Sequence, residues 1–324
     1  MGRSAKSLPL GKKLLLNFLR IFILVGSVAI VGAIVLRLYP PLVPWGLAVL
    51  SGDSVCASGD VFRGAQTRYA LESRRATIQN ELRVLEEDPE GYVRWEYSGG
   101  SFWVPKGSEG SLATLLAQQE VNEYGDERQG VRPDDVVLDG GAHIGIYSRK
   151  ALHEGAKLVV AIEPAPANVE CLRRNLRDEI AAGQVIVYPK GIWDKEDLLP
   201  LFEDPANSAA DRFVAPDDTS VSKHSIALVP IDVLVRELGL PPITLIKMDI
   251  KGATVRALQG GRQTLLRDKP RLVISTEEDI DSLEEITSVV ESLGVGYQRE
   301  CGSCSFRNGF EVFPDVVFFR LPGT

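Results

Sequence analysis

The sequence predicts an α/β fold: a mostly parallel sheet with helices on both faces, closed by a C-terminal antiparallel hairpin. Three observations lead there. From residue 131 onward, short apolar runs alternate with segments of helical periodicity, the signature of repeated strand–helix–strand units. The first run, VVLD (136–139), passes straight into Gly-Gly-Ala-His-Ile-Gly, bare backbone of the kind that turns tightly beside a ligand. The last runs, YQRE (297–300) and VVFFRL (316–321), have no helical pattern between them and therefore read as the closing hairpin.

The elements follow in order. No Asp or Glu precedes Asp53, whereas Arg3, Lys6, Lys12, Lys13, Arg20 and Arg37 do. Between Arg20 and Arg37 lie sixteen uncharged residues, IFILVGSVAIVGAIVL. With LLLNFLR on the left the stretch reaches 23 residues, about 35 Å of helix against a hydrocarbon layer about 30 Å thick. This predicts an N-terminal transmembrane helix, a single-pass anchor with Arg20 reaching toward the head groups. The following LRLYPPLVPWG is a poor signal-peptide cleavage site, so the anchor is expected to stay. Residues 1–50 are read as basic segment and anchor, 51–130 as an accessory helix/hairpin segment, and 131–324 as the ligand-binding domain.

Within the accessory segment, ESRRATIQNELRVLEED (72–88) puts Ile78, Leu82 and Leu85 on one helical face. VRWEY and SFWVP flank Ser-Gly-Gly and predict a hairpin; SLATLLAQQEVNEY (111–124) predicts another helix. In the main domain the further strands are 158–164, 185–189, 245–250 and 271–275. Val169, Leu172, Leu176 and Ile180 form one stripe of a helix over 168–180. Asp232 is placed to N-cap the helix after PIDVLVREL, and 254–266 and 280–294 predict two more helices.

The net charge of −8 argues against a nucleic-acid partner, which calls for a basic face. Four cysteines do not make a disulfide framework, and Cys301-Gly-Ser-Cys304, without a second ligand pair, reads as a plain turn.

The stretch Asp139-Gly-Gly-Ala-His-Ile-Gly145 does not match the G-x-G-x-x-G of dinucleotide sites. An acid here would repel a pyrophosphate and welcome a cation. S-adenosyl-L-methionine carries both an ammonium and a sulfonium, so Asp139 favours that cofactor over a nicotinamide dinucleotide. Glu163 ends the next strand, where a carboxylate can accept hydrogen bonds from both ribose hydroxyls.

Five blocks in order, VVLDGGAHIGIYS (136–148), AIEPAPANVECLRRNL (161–176), GIWDKED (191–197), PIDVLV (230–235) and IKMDIKGATVRALQGG (246–261), resemble the FkbM-type methyltransferases, a branch of the class I S-adenosyl-L-methionine-dependent enzymes. The resemblance implies a Rossmann-like sheet of seven strands, cofactor held at Asp139, Gly141, Gly145 and Glu163, the Trp193 turn near the adenine, and O-methylation of a sugar or other small-molecule or glycan acceptor. His143 fits the family's glycine block and is expected beside the cofactor. In the fourth-strand block Lys247, Asp249 and Gly252 fit, while Lys251 and Thr254 stand where the family commonly has Glu.

Methyl transfer is an in-line displacement, so the protein mainly positions a hydroxyl against the methyl group. Asp249, at the end of the fourth strand, is the expected base or orienting carboxylate, and Lys251 is expected to bind an anionic acceptor or lower a hydroxyl pKa. The two missing acids also allow an alternative: a catalytically degenerate interaction module on the same fold at the membrane. Positive charge before the span would place the domain outside the cytosol. Because the cofactor is made in the cytosol, a cytosol-accessible domain is the expectation.

Overall fold

A computed structural model describes residues 10–39, 42–43, 45–46, 55–202, 207–210, 212–213, 224–276, 283–307 and 311–323. Helix α1 (Leu10–Leu38) precedes the accessory elements: α2 (Ser58–Glu81), β1 (Arg83–Glu87), β2 (Tyr92–Tyr97), β3 (Gly100–Pro105) and α3 (Leu112–Glu120). The main domain begins with β4 (Val136–Gly140), α4 (Ile146–His153), β5 (Leu158–Ile162), α5 (Pro166–Asn175), α6 (Arg177–Ala181) and β6 (Val185–Tyr188). A side layer follows: β7 (Gly191–Ile192), β8 (Asp197–Phe202), β9 (Arg212–Phe213) and β10 (His224–Val229). Then come α7 (Ile231–Glu237), β11 (Leu245–Met248), α8 (Thr254–Gly260), α9 (Arg262–Asp268), β12 (Arg271–Ser275) and α10 (Leu283–Glu291). The chain closes with β13 (Gln298–Cys301), β14 (Cys304–Arg307), β15 (Glu311–Pro314) and β16 (Val316–Arg320).

The central sheet has seven strands in the order β13-β16-β12-β11-β4-β5-β6. β12, β11, β4, β5 and β6 run parallel, and β16 alone is reversed, pairing antiparallel with both β12 and β13. Thus the C-terminal hairpin is antiparallel and its outer strand points with the rest. Because β4 is fully buried on both faces, its residues are apolar up to Asp139. Leu138, Ile246, Met248 and Ile274 face the side covered by α7–α10; Val137, Val159, Leu245 and Val273 face Leu172 and Leu176 on the other.

The accessory segment shares a core with this domain. Leu71 and Ile78 of α2, Phe102 and Val104 of β3, and Leu112 and Leu116 of α3 pack with Ile144, Ile146 and Cys171. The predicted helix over 72–88 divides here: α2 starts earlier and stops at Glu81, and 83–87 is a strand. Leu85 is not on an apolar helical face. It is the extra residue of a bulge between the Val84↔Trp95 and Glu86↔Arg94 pairs, and is 50% exposed. The 168–180 helix is also broken, at Leu176 (φ −114°, ψ 26°), and the 254–266 helix at Gly261. Asp232 does not cap its own helix: its carboxylate accepts the backbone N–H groups of Gln263 (2.9 Å) and Thr264 (2.8 Å), capping α9 from a distance.

Two further results differ from the sequence reading. Cys301 is joined to Cys56 by a disulfide across 245 residues, while Cys304 remains a buried thiol whose pKa burial pushes up to about 12. Helix α1 carries ten exposed large apolar side chains from Phe18 to Val35. Among the described residues, however, no helix is long and apolar enough to cross a membrane. Arg3, Lys6 and most of 40–54 lie outside the described residues.

Candidate active site

At the carboxyl ends of β4, β5 and β11 the chain leaves a cavity of about 100 Å³. Parallel strands deliver their turns to one edge, so residues distant in sequence meet there. β4 pairs with β5 through Asp139↔Ala161 and Gly140↔Ile162, and with β11 through Lys247↔Asp139. Asp139, Glu163 and Asp249 therefore stand at neighbouring strand ends.

Their environments differ. Glu163 lines the cavity. Its Oε2 accepts the backbone N–H of His143 (2.8 Å), and its Oε1 accepts the backbone N–H of Ala165 (2.9 Å). Burial raises its pKa, and those hydrogen bonds oppose the rise. Asp139, expected to meet the cofactor's positive charge, does not line the cavity: it is wholly buried one layer behind. Its Oδ2 accepts the Ser148 hydroxyl (2.7 Å), and its Oδ1 lies 3.1 Å from Lys247 Nζ, a charge pair not aligned as a hydrogen bond. The physical reason is charge compensation. Lys247 is 3% exposed in a fully buried strand and needs a counter-ion. Its Nζ also donates to Gly141 O (2.9 Å), tying β11 to the glycine turn, and lies 5.5 Å from the ring centroids of both Tyr124 and Tyr147.

The glycine turn is shaped by its contacts. Gly141 has φ +73°, and a Cβ there would stand 2.1 Å from Asp249 O, so only glycine fits. Gly145 is not part of the cavity wall. With φ +87° it opens α4, and a Cβ would meet Leu176 Cδ1 at 2.8 Å; its role is close packing of α4 on α5. His143, also at positive φ, lines the cavity, and its Nε2 is 2.9 Å from Ser208 Oγ. Burial, aided by Lys247 and Lys251, holds its pKa down to about 4. The imidazole is neutral at physiological pH and a weak base, which suits a hydrogen-bonding role better than proton abstraction.

Asp249 and Lys251 both line the cavity, and the Tyr124 hydroxyl donates to Asp249 Oδ2 (2.9 Å). Trp193 is elsewhere. It packs against the side layer, its backbone N–H donates to Val229 O (3.0 Å), and Arg256 stacks 5.4 Å from its ring centre. Trp193, expected near the adenine, does not line the cavity: the β7 turn packs against α8.

The structure thus gathers Gly141, His143, Glu163, Asp249 and Lys251 around one cavity, and leaves Asp139, Gly145 and Trp193 outside its wall. Sequence reasoning missed Tyr124 and Gln119 of the accessory segment, Tyr147 and Asn168 of α4 and α5, and Ser208 of the side layer. Ser208 narrows the cavity: its carbonyl accepts the Asn168 amide (3.2 Å), and its N–H donates to Ser108 Oγ (3.2 Å). Only Asn168 carried a signal, as a polar residue five positions after Glu163 in a helix.

Three buried polar atoms of the wall, Gln119 Oε1, Tyr147 Oη and Asn168 Oδ1, have no hydrogen-bond partner among the described residues. Buried polar groups without partners are rare and call for a ligand or water. Asn168 Oδ1 beside the Glu163 carboxylate offers acceptors for vicinal ribose hydroxyls, so the residues present fit S-adenosyl-L-methionine.

The strand order, the reversed strand β16 and the ligand pocket at the β4–β5 tips together define a class I S-adenosyl-L-methionine-dependent methyltransferase. The family described as methyltransferase FkbM domain matches residues 139–302, and the chain belongs to it. It is similar to the methyltransferase sdnD of Sordaria araneosa (24% identity over 194 residues, 51% of this chain and 74% of that one). It is likewise similar to the 31-O-demethyl-FK506 methyltransferase FkbM of Streptomyces tacrolimicus (27% over 199 residues, 52% and 75%). Among solved structures, a methyltransferase FkbM from Methylobacillus flagellatus aligns at 19% identity and TM-score 0.43; the alignment covers 81% of this chain and 60% of that protein's length. M. jannaschii TYW2, in complex with AdoMet, aligns at 15% identity over 72% of this chain and 87% of that one, TM-score 0.38.

Proposed function

We propose that this protein is an O-methyltransferase, held at a membrane by α1, that methylates a hydroxyl of a small-molecule or glycan acceptor. The observation that carries the transfer reading is Asp249: a carboxylate in the cavity wall, across the glycine turn from Glu163, oriented by the Tyr124 hydroxyl at 2.9 Å. The cofactor supplies an activated methyl group. Glu163 and Asn168 hold its ribose, Gly141 lets the backbone approach it, and Asp249 accepts or orients the acceptor's proton. Lys251 lies in the same wall, where an ammonium favours an anionic acceptor or the alkoxide character that develops during transfer. The relative from Streptomyces tacrolimicus is named for a 31-O-methyl transfer, which supports oxygen as the accepting atom.

The experiment is methyl transfer from labelled cofactor to a panel of hydroxylated acceptors by the full chain. Asp249→Asn should lower kcat by about 10²–10⁴-fold while leaving cofactor affinity within about twofold, the effect of losing a general base. Equal loss of cofactor affinity and turnover would sink the assignment.

Membrane attachment rests on the exposed apolar side chains of α1 and the acid-free N-terminus. The Cys56–Cys301 bond supports placing the domain on the non-cytosolic face, because disulfides persist in oxidising compartments. The basic flank points the same way, against the cytosol-accessible placement expected from cofactor supply. Protease protection of sealed vesicles, with non-reducing electrophoresis of the released fragment, decides the face. A reduced, cytosol-exposed domain would overturn this part.

A further inference from the structure

Outside the catalytic cavity, a second and larger cleft of about 350 Å³ lies where the accessory sheet meets α4, α5 and α6. Its wall contains Arg94 of β2, Arg149 of α4, Arg174 of α5 and Arg177 of α6, against the acids Asp178 and Glu179. The cleft is built on a fixed frame, since the Asn175 side chain bonds both the N–H (2.7 Å) and the carbonyl (3.0 Å) of Trp103 and so locks β3 onto α5.

The four arginines are not equally compensated. Arg174 is neutralised by Asp88 (2.6 Å), Glu170 (2.7 Å) and Glu90 (2.9 Å). Among the described residues Arg177 has only its neighbour Asp178, and both side chains are more than four-fifths exposed at 83% and 85%. Among the described residues, Arg149 and Arg94 have no carboxylate within 4.0 Å; their partners are neutral. Arg149 donates to Ser101 O (3.2 Å) and to Asn175 O, and stacks 4.3 Å from the Phe102 ring centre; Arg94 Nε donates to Ser101 Oγ (3.1 Å). Burial lowers the Arg149 pKa, the mark of a guanidinium removed from water without full compensation. A buried cation in this state is costly to the fold, and an anion seated against it offsets that cost.

We propose that this cleft is an anion-binding site for a phosphate or sulfate ester of a small polar molecule. Guanidinium forks match tetrahedral oxyanions through paired N–H donors, and two such forks here converge on the Ser101 residue. The volume exceeds what a bare oxyanion fills, leaving room for the group it esterifies. Asp178 and Glu179 of α6 line the same cleft and repel any anion, so selectivity comes from the forks, whose paired N–H donors match tetrahedral phosphate and sulfate and not spherical chloride. A bound ester would tie the accessory sheet to α4 and α6.

The test uses the full chain in detergent without cofactor, so that its outcome is independent of methyl transfer. Thermal unfolding and calorimetry are run with inorganic phosphate, sulfate and ribose 5-phosphate, against chloride at equal ionic strength. One saturable site for phosphate and sulfate is expected, tighter for ribose 5-phosphate, with no such site for chloride. Arg94→Gln should weaken binding about tenfold, the loss of one charge-assisted contact, and Arg149→Gln at least as much. If Arg149→Gln fails to fold, because Arg149 also bonds the end of α5, Arg94→Gln and Arg177→Gln decide. Stabilisation that tracks ionic strength alone, or affinities unchanged in folded Arg94→Gln, overturns the proposal. Binding of inorganic phosphate equal to that of ribose 5-phosphate would overturn the ester assignment.

Discussion

Glu163 and Asp249 stand on two sides of one cavity and are held there by different means. Glu163 is fixed by its own neighbourhood: backbone N–H groups of His143 and Ala165, and the Asn168 amide five residues on. Asp249 is fixed from afar by Tyr124, 125 residues earlier and in the accessory segment. The first side is built within one strand–turn–helix unit. The second depends on how an added layer happens to pack. In this chain the Glu163 side of the cavity is thus built by local contacts and the Asp249 side through an attached layer.

The largest effect should come from breaking the layer that both sides share. Asp139→Asn leaves Lys247 as a buried cation without a counter-ion, at a cost of about 3–5 kcal/mol. Unfolding followed by circular dichroism should show Tm falling by about 10 °C, in the absence of any cofactor. Pairing it with Lys247→Met should recover most of the loss, since removing both charges leaves neither unpaired. If the single change left cofactor-free stability untouched, Asp139 would be a ligand-facing residue after all, and the two-layer picture would be wrong.

That result bears on what was legible in the sequence. The strand-tip acids, the glycine turn and the sheet direction all follow from periodicity and spacing. The direction in which Asp139 points does not. It depends on Lys247, placed opposite it only by the pairing of β11 with β4. Asp232 carries the same lesson: a good cap by type, it caps α9 because α7 and α9 lie side by side. Leu85 matched a helical stripe, yet β-pairing with Trp95 and Arg94 on either side of it prevailed over periodicity. Cys56 and Cys301 lie in different segments, and no local signal links them. Tyr124 ended a helical pattern and gave no sign of reaching the cavity.

Next in size, Glu163→Gln separates the two sides by affinity. It removes the charge that two backbone N–H groups share and that, on the proposed reading, the ribose hydroxyls share as well, each such contact contributing about 1.5–3 kcal/mol. Calorimetry should show cofactor Kd rising about ten- to a hundredfold. Turnover at saturating cofactor should change far less. Tyr124→Phe is the complementary probe and a smaller one. It deletes one hydrogen bond to Asp249, worth about 0.5–1.5 kcal/mol, so kcat should drop roughly three- to tenfold with cofactor Kd unchanged. Should Tyr124→Phe weaken the cofactor as strongly as Glu163→Gln does, the division between a locally built and a remotely built side would collapse.

The last effect is a pH dependence of stability from His143, which lies where the two sides meet. Its pKa is about 4 in the fold against an ordinary 6.5, because burial and the ammonium groups of Lys247 and Lys251 disfavour the imidazolium, with Asp249 opposing them. Between those values the unfolded chain binds a proton that the folded chain refuses. Its contribution to stability is therefore complete above pH 6.5 and is lost as pH falls through 6.5 toward 4. Glu163 acts in the opposite sense, since its raised pKa lets the folded state take up a proton first, giving stability back at the acid end. The His143 effect thus falls between about pH 6.5 and 4, with Glu163 opposing it wherever the two titrations overlap, and replacing the imidazole isolates its share. Over that interval the wild-type Tm should decline, and His143→Gln, which keeps a side chain able to reach the Ser208 hydroxyl, should decline less. Parallel declines in the two proteins would mean that the imidazole is solvated, and that Ser208 does not close over it as the 2.9 Å contact indicates.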